Sequence, residues 1–251
     1  MKELQPVVLT GLAAITAHGD ITLHSAAMPG GTGTVIEGFA LEKYLDSQKT
    51  YLDRCSALAL AGSALALRDA GVEWPVTEER FGITLGTHLG CLDTMKTFWD
   101  KATEKGVRLA NALLFSHSYF NSPISLCAIE FGLKGYHTTF CAGHNSGLEA
   151  VRAAYDAIRL GHANAMLCGG VEAVTPAREI CEPAEAGLGE AAVFFVLESR
   201  QHADERGAAV AAEMDDTTLA TTAEAQADVL REYGDTGGAQ SALALMQRLT
   251  L

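Results

Sequence analysis

The chain alternates short apolar runs with longer stretches in which apolar positions recur every three or four residues. Pro6-Val7-Val8-Leu9-Thr10-Gly11-Leu12 predicts a first, buried strand. From Leu52 to Val72 the residues Ala57, Leu58, Leu60, Ala61, Ala64, Leu65 and Leu67 fall at helical spacing, and Gly71 stops the pattern. Phe81 to Thr87 predicts a second strand leading through Gly90 into a helix over Leu92 to Lys105. Asn121-Ser122-Pro123 opens another helix, with proline just inside its start, which continues through Ile124 to Phe131.

The next segment is the most informative. His137-Thr138-Thr139-Phe140 is a β-branched run, Cys141-Ala142-Gly143 a turn of small residues, and a helix follows from Gly147 to about Leu160 with Val151, Ala154, Tyr155 and Ile158 on one face. Such a strand-to-helix elbow presents one residue, His144, at its tip beside the positive end of a helix. Ala163 to Cys168 predicts a strand, Gly169-Gly170 a turn, and Pro176 and Pro183 mark a loop. Gly189 to Glu198 predicts a buried strand, Ser199 to Arg206 a polar helix, and Ala208 to Met214 a last strand. Strand and helix alternate along most of the chain, which predicts an α/β layered architecture around a buried parallel sheet.

Composition narrows the class. Of 251 residues 48% are hydrophobic and 20% charged, which describes a globular chain and not a disordered one. A net charge of −13 opposes nucleic acid and anionic lipid, so neither is expected as a partner. No signal-peptide pattern begins at Met1 and no apolar run has the length of a membrane span, so the expected location is the cytoplasm. The six cysteines lack metal-ligand spacing and read as reduced core thiols, with no metal and no cofactor expected.

Taken in order, Val8 to Leu12, Ser56 to Gly71, Gly82 to Thr87, Gly135 to Ala150, Gly161 to Ala173 and Gly189 to Ala208 resemble a β-ketoacyl-acyl-carrier-protein synthase of the thiolase superfamily. The resemblance implies a thiolase-like fold, a layered α-β-α-β-α sandwich usually found as a dimer. Residues 1–200 would be the N-terminal half and 201–251 a shortened C-terminal half, together forming one compact unit. Near the end, Tyr233-Gly234-Asp235-Thr236-Gly237-Gly238-Ala239-Gln240-Ser241-Ala242 looks like a second glycine-rich turn of that family, with its histidine replaced by Asp235.

The same resemblance places His144 at the family's nucleophilic cysteine. A condensing enzyme needs a thiol there, because it must hold an acyl chain as a thioester that resists hydrolysis yet accepts a carbanion. An acyl-imidazole hydrolyses readily, and a helix N-terminus favours a neutral ring. Aspartate in place of a decarboxylation-promoting histidine opposes the developing enolate, and the segment of the second such histidine has no counterpart here. Autonomous condensation is therefore not expected.

Two readings of His144 stand at this point: a polar plug, which is preferred, and a general base oriented by Asp235 if the two elbows face each other. Asp235 otherwise accepts the amides of Gly237 and Gly238. Cys141 and Cys168 read as buried inert thiols, and Glu172 and Glu190 as acceptors of backbone amides or partners across the core. His88 and His117 show no partner and are assigned to surface or loop. Phe115, Tyr119 and Phe120 either close an acyl channel or dimer interface, as the resemblance implies, or belong to an ordinary core.

The expected function is a non-catalytic, chain-length-factor-like subunit. It would partner an active ketosynthase in type II polyketide, fatty-acid or aryl-polyene-like synthesis, or form a homodimer, with acyl carrier protein engaged indirectly. The alternative is an acyl-thioester hydrolase, acyltransferase or decarboxylase using His144 and Asp235.

Overall fold

The computed structural model describes residues 4–23, 33–47, 49–182, 187–220 and 223–250. Pro183, assigned above to a loop, and Met1 to Glu3 lie outside them. In chain order the strands are β1 (Val7–Thr16), β2 (Gly19–Thr22), β3 (Phe81–Gly86), β4 (His137–Phe140), β5 (Ala165–Glu172), β6 (Ala191–Ser199) and β7 (Ala212–Met214). The helices are α1 (Arg54–Asp69), α2 (Leu92–Lys105), α3 (Ala112–Ser116), α4 (Ser122–Phe131), α5 (Ser146–Arg159), α6 (Pro176–Cys181), α7 (Arg200–Glu205), α8 (Ala223–Tyr233) and α9 (Gln240–Thr250). Short 3-10 turns at Gly143–Asn145 and Gly237–Ala239 lead into α5 and α9.

One sheet in the order β2-β1-β6-β5-β3-β4, with β7 also paired to β1, organises these elements. The expected parallel sheet is mixed: β3 runs parallel to both β4 and β5, whereas β1, β2, β6 and β7 join by antiparallel pairing. Residues alternate between two cores, as strand geometry requires. Phe194 and Val196 of β6 join Leu58, Leu60 and Leu67 of α1 and Ile124 and Phe131 of α4 on one face. Val193, Phe195 and Leu197 join Val151 and Ile158 of α5 and Leu243 and Met246 of α9 on the other. The α/β class holds, and the described residues form the layers α-β-α of the expected sandwich. The segment after β7 contributes α8 and α9, which cover the second face.

Local chemistry explains the boundaries. Asp53 caps α1 by accepting the amide of Cys55 at 2.9 Å, and its other oxygen takes the Thr94 hydroxyl of α2 at 2.7 Å. The Gly169-Gly170 turn predicted above is interior β5. A Cβ at Gly169 would stand 1.9 Å from the Val193 carbonyl oxygen, so glycine is there for close approach and not for a bend. Pro176 opens α6 in place of the expected loop, because its missing N–H costs nothing in a first turn and Thr175 caps the Arg178 amide at 3.3 Å.

Candidate functional site

The elbow forms where β4 ends at the sheet edge. Thr87, just beyond β3, donates its amide to the Phe140 carbonyl at 3.0 Å, which fixes the strand end. Gly143 takes φ +61°, and the buried Ser146 ties the turn by accepting the Ala142 amide at 2.8 Å and donating to the Gly143 carbonyl at 2.6 Å. The turn between Asp235 and α9 approaches from the side. Gly147, Gly170 and Gly238 meet there without side chains: a Cβ on Gly147 would lie 2.9 Å from the Gly238 oxygen, and one on Gly170 2.6 Å from it. Ser241 of α9 accepts the Leu148 amide of α5 at 3.0 Å, which locks the two helix starts together.

The two tips face each other. Nε2 of His144 lies 2.9 Å from Oδ1 of Asp235, with 48% of the histidine side chain exposed. That hydrogen bond pushes the His144 pKa up against the opposing effect of burial, the reverse of the direction expected from the helix terminus. It also holds the Asp235 carboxyl below the usual carboxylate range. Asp235 accepts the Gly237 amide at 2.9 Å, as predicted. The Gly238 amide goes instead to Glu172 at 3.0 Å.

Glu172 is 1% exposed and serves as the junction beneath the site. Its carboxylate accepts the amides of His88, Leu89 at 3.2 Å and Gly238, so it joins the β3–α2 loop to the turn before α9. Burial pushes its pKa up, while Arg178 and those amides oppose the rise. Glu190 also matches its predicted part: it accepts the Ile36 amide at 2.7 Å and pairs with Arg54.

Sequence reasoning missed His88 and Arg178. His88 is not a free loop residue: its Nε2 meets Glu182 at 2.6 Å and its ring lies 6.3 Å from that of His144. Its partner is distant in sequence and lies past α6, so no spacing signals the pair. His117 ends α3. Arg178 is 1% exposed, and its guanidinium reaches Glu182, Asp235 and the carbonyls of Ala173, Gly189 and Asp235. Among the described residues no group of three or more His, Cys, Asp or Glu is placed to hold a metal ion.

Cys141 departs from the expected burial and is exposed, because β4 is a four-residue edge strand whose end opens to solvent. Its thiol is nonetheless pushed up by desolvation and by Glu172, which opposes thiolate formation. Cys168 is buried in β5 and its thiol is pushed up by burial. Phe115, Tyr119 and Phe120 are not core residues: they are 45%, 45% and 38% exposed. Phe115 and Tyr119 meet edge to face with ring centres 5.0 Å apart, Phe98 extends the group, and Trp99 flanks it.

The arrangement can polarise or protonate a group at the elbow through His144 backed by Asp235. The residue presented at the tip is an imidazole and not a thiol.

Comparison with known proteins places this geometry. Residues 39–204, well over half of the chain, match the beta-ketoacyl synthase N-terminal domain. The chain is 31% identical over 198 residues to the ketoacyl synthase alpha subunit of the tetracenomycin polyketide synthase of Streptomyces glaucescens, covering 66% of this chain and 46% of that one. It is 30% identical over 227 residues to 3-oxoacyl-[acyl-carrier-protein] synthase 2 of Vibrio cholerae, covering 78% and 53%. The chain thus spans about half the length of the curated relatives it matches. Among solved structures, the ishigamide ketosynthase/chain length factor matches at a TM-score of 0.73 and 19% identity, covering 97% of this chain and 85% of that chain. A ketosynthase in complex with a type II polyketide synthase acyl-carrier protein matches at 0.70 and 22%, covering 84% and 67%. Both show the thiolase-like ketosynthase fold. No helix of the described residues is long and apolar enough to cross a membrane.

Proposed function

Because the chain belongs to the beta-ketoacyl synthase family, we propose that it is a non-condensing, chain-length-factor-like subunit that pairs with an active ketosynthase in type II polyketide, fatty-acid or aryl-polyene-like synthesis. The observation that carries this reading is the elbow tip, where His144 is hydrogen-bonded to Asp235 and no thiol is presented. The nucleophile would come from the partner. Two surfaces support pairing: the exposed aromatic face of Phe115, Tyr119 and Phe120, and β4, whose outer edge is unpaired among the described residues. Self-association through the same surfaces is the homodimeric form of this reading, and acyl carrier protein would dock on the partner.

Co-expression with a ketosynthase from the same biosynthetic system tests it. The two chains co-purify, and Phe115→Ala or Phe120→Ala changes the length of the product. A stable monomer that leaves ketosynthase output unchanged overturns it.

The 2.9 Å contact between Nε2 of His144 and Oδ1 of Asp235, with the ring half exposed, favours a second reading. There His144 is the general base of an acyl-thioester hydrolase, acyltransferase or decarboxylase. Turnover of acyl thioesters by the purified chain, abolished in His144→Ala and Asp235→Asn, supports it, and no turnover removes it.

A further inference from the structure

The charged groups around the elbow form a closed circuit. His88 Nε2 meets Glu182 Oε1 at 2.6 Å, and Glu182 Oε2 accepts from Arg178 Nε at 3.0 Å. Arg178 Nη2 donates to the Asp235 carbonyl at 2.9 Å and approaches Oδ1 at 3.4 Å, and Oδ1 meets His144 Nε2 at 2.9 Å. The His144 and His88 rings, inclined at 23°, close the loop. Four segments far apart in sequence are joined this way: the β3–α2 loop, the elbow, α6 with Glu182, and the turn before α9.

We propose that this circuit is a proton-operated clasp. With the His144 imidazole protonated it holds α6 and the 235–238 turn against the elbow through Asp235 and Arg178, and on losing that proton it loosens both.

Glu182 and Asp235 face a single guanidinium, and Glu172 lies behind them. Arg178 is fully buried and its donors already serve two carboxylates and three carbonyls, so it has no further bond to give. The imidazole of His144 can add the positive charge that offsets the second carboxylate. His144 faces Asp235, Glu182 and Arg178, and His88 faces Glu182 and the His144 ring while its own amide binds Glu172. A neutral imidazole still donates from Nε2, but a charge-assisted bond is about twice as strong, so deprotonation weakens the clasp without cutting it. Asp93 of α2 accepts the Ala177 amide at 3.3 Å and keeps α6 near its place.

The sign follows from the two shifts. His144 is raised, so its contribution is complete below the ordinary histidine range and fades as pH climbs through the raised value. Asp235 is lowered, so its contribution is complete above the ordinary carboxylate range and fades as pH falls. The clasp is tightest between roughly pH 4.5 and 6.5. Nothing in this depends on pairing with a ketosynthase, and the inference can fail while the proposed function stands.

Amide hydrogen exchange of the whole chain, read by mass spectrometry at about pH 6 and about pH 8.5 and corrected for intrinsic rates, tests it. Protection of peptides covering 176–182 and 235–239 falls several-fold across that interval, while β6 peptides hold theirs. His88→Gln with His144→Gln, which keeps a donor at each position and removes the titrating ring of His144, flattens the fall. An equal change in β6, no change at all, or an undiminished fall in the double variant overturns the proposal. Should the double variant not fold, the imidazole proton shifts of His144 in the wild-type chain decide: that ring titrates in the interval where protection falls, and titration elsewhere overturns the proposal.

Discussion

Nε2 of His144 and Oδ1 of Asp235 are 2.9 Å apart although the residues are 91 positions apart in sequence. The tips of two separate turns are thereby tied by one hydrogen bond, which raises the pKa of the imidazole and lowers that of the carboxyl.

Installing a thiol does not repair such a site. His144→Cys leaves Asp235 and Glu182 over one guanidinium, and the carboxylate still opposes an enolate. The variant shows no malonyl-thioester decarboxylation above wild type, assayed by release of the acetyl product. Because the histidine is half exposed, the stability lost in urea unfolding is only about 1 kcal/mol.

Removing the carboxylate under the site costs more. Glu172→Ala orphans the amides of His88, Leu89 and Gly238 in a buried place. Urea unfolding should show a loss of about 3 to 5 kcal/mol, with Glu172→Gln falling between the variant and wild type.

The interior of β5 gives a steric prediction. Gly169→Ala puts a methyl group 1.9 Å from the Val193 oxygen, where only separation of β5 from β6 makes room. It should destabilise by at least about 3 kcal/mol, seen as loss of soluble protein or a fallen unfolding midpoint. Gly106→Ala meets no atom within 4 Å and pays only for its left-handed backbone.

Acid stability rests on a different cluster. Burial raises the Glu198 carboxyl, but Arg206, His202 and Thr10 hydrogen bonds prevail and hold it down at about 2. A depressed carboxylate stabilises above the unfolded value and loses that contribution as pH falls through the folded one. Between about pH 4.5 and about pH 2 the chain should therefore lose roughly 3 kcal/mol from this group. Unfolding midpoints in that interval flatten in Glu198→Gln.

The periodicities that give α1, α2, α5 and β6 are local, and those elements stand where the sequence put them to within a few residues. Gly169-Gly170 misled because glycine marks both turns and close backbone contacts, and only the neighbour across the sheet tells them apart. At the site, the turn carrying Asp235 was legible as a glycine-rich motif, and its meeting with His144 followed from the family resemblance. His88 and Arg178 were illegible because their partners, Glu182 and Asp235, come from other segments and an ion pair leaves no periodic trace. The exposure of Cys141 depended on β4 lying at an edge, which is a property of strand order and not of the strand.

The contact of Gly147, Gly170 and Gly238 has a consequence of its own. Backbone contact sets how near the two turns can come, so the side chains mounted at 144 and 235 govern how firmly the turns are held and not their closest approach. The base tolerates almost no exchange, whereas the tips are interchangeable fittings on a fixed mount. The scaffold can thus be refitted with other reactive pairs at those two positions without resetting how near the turns can come.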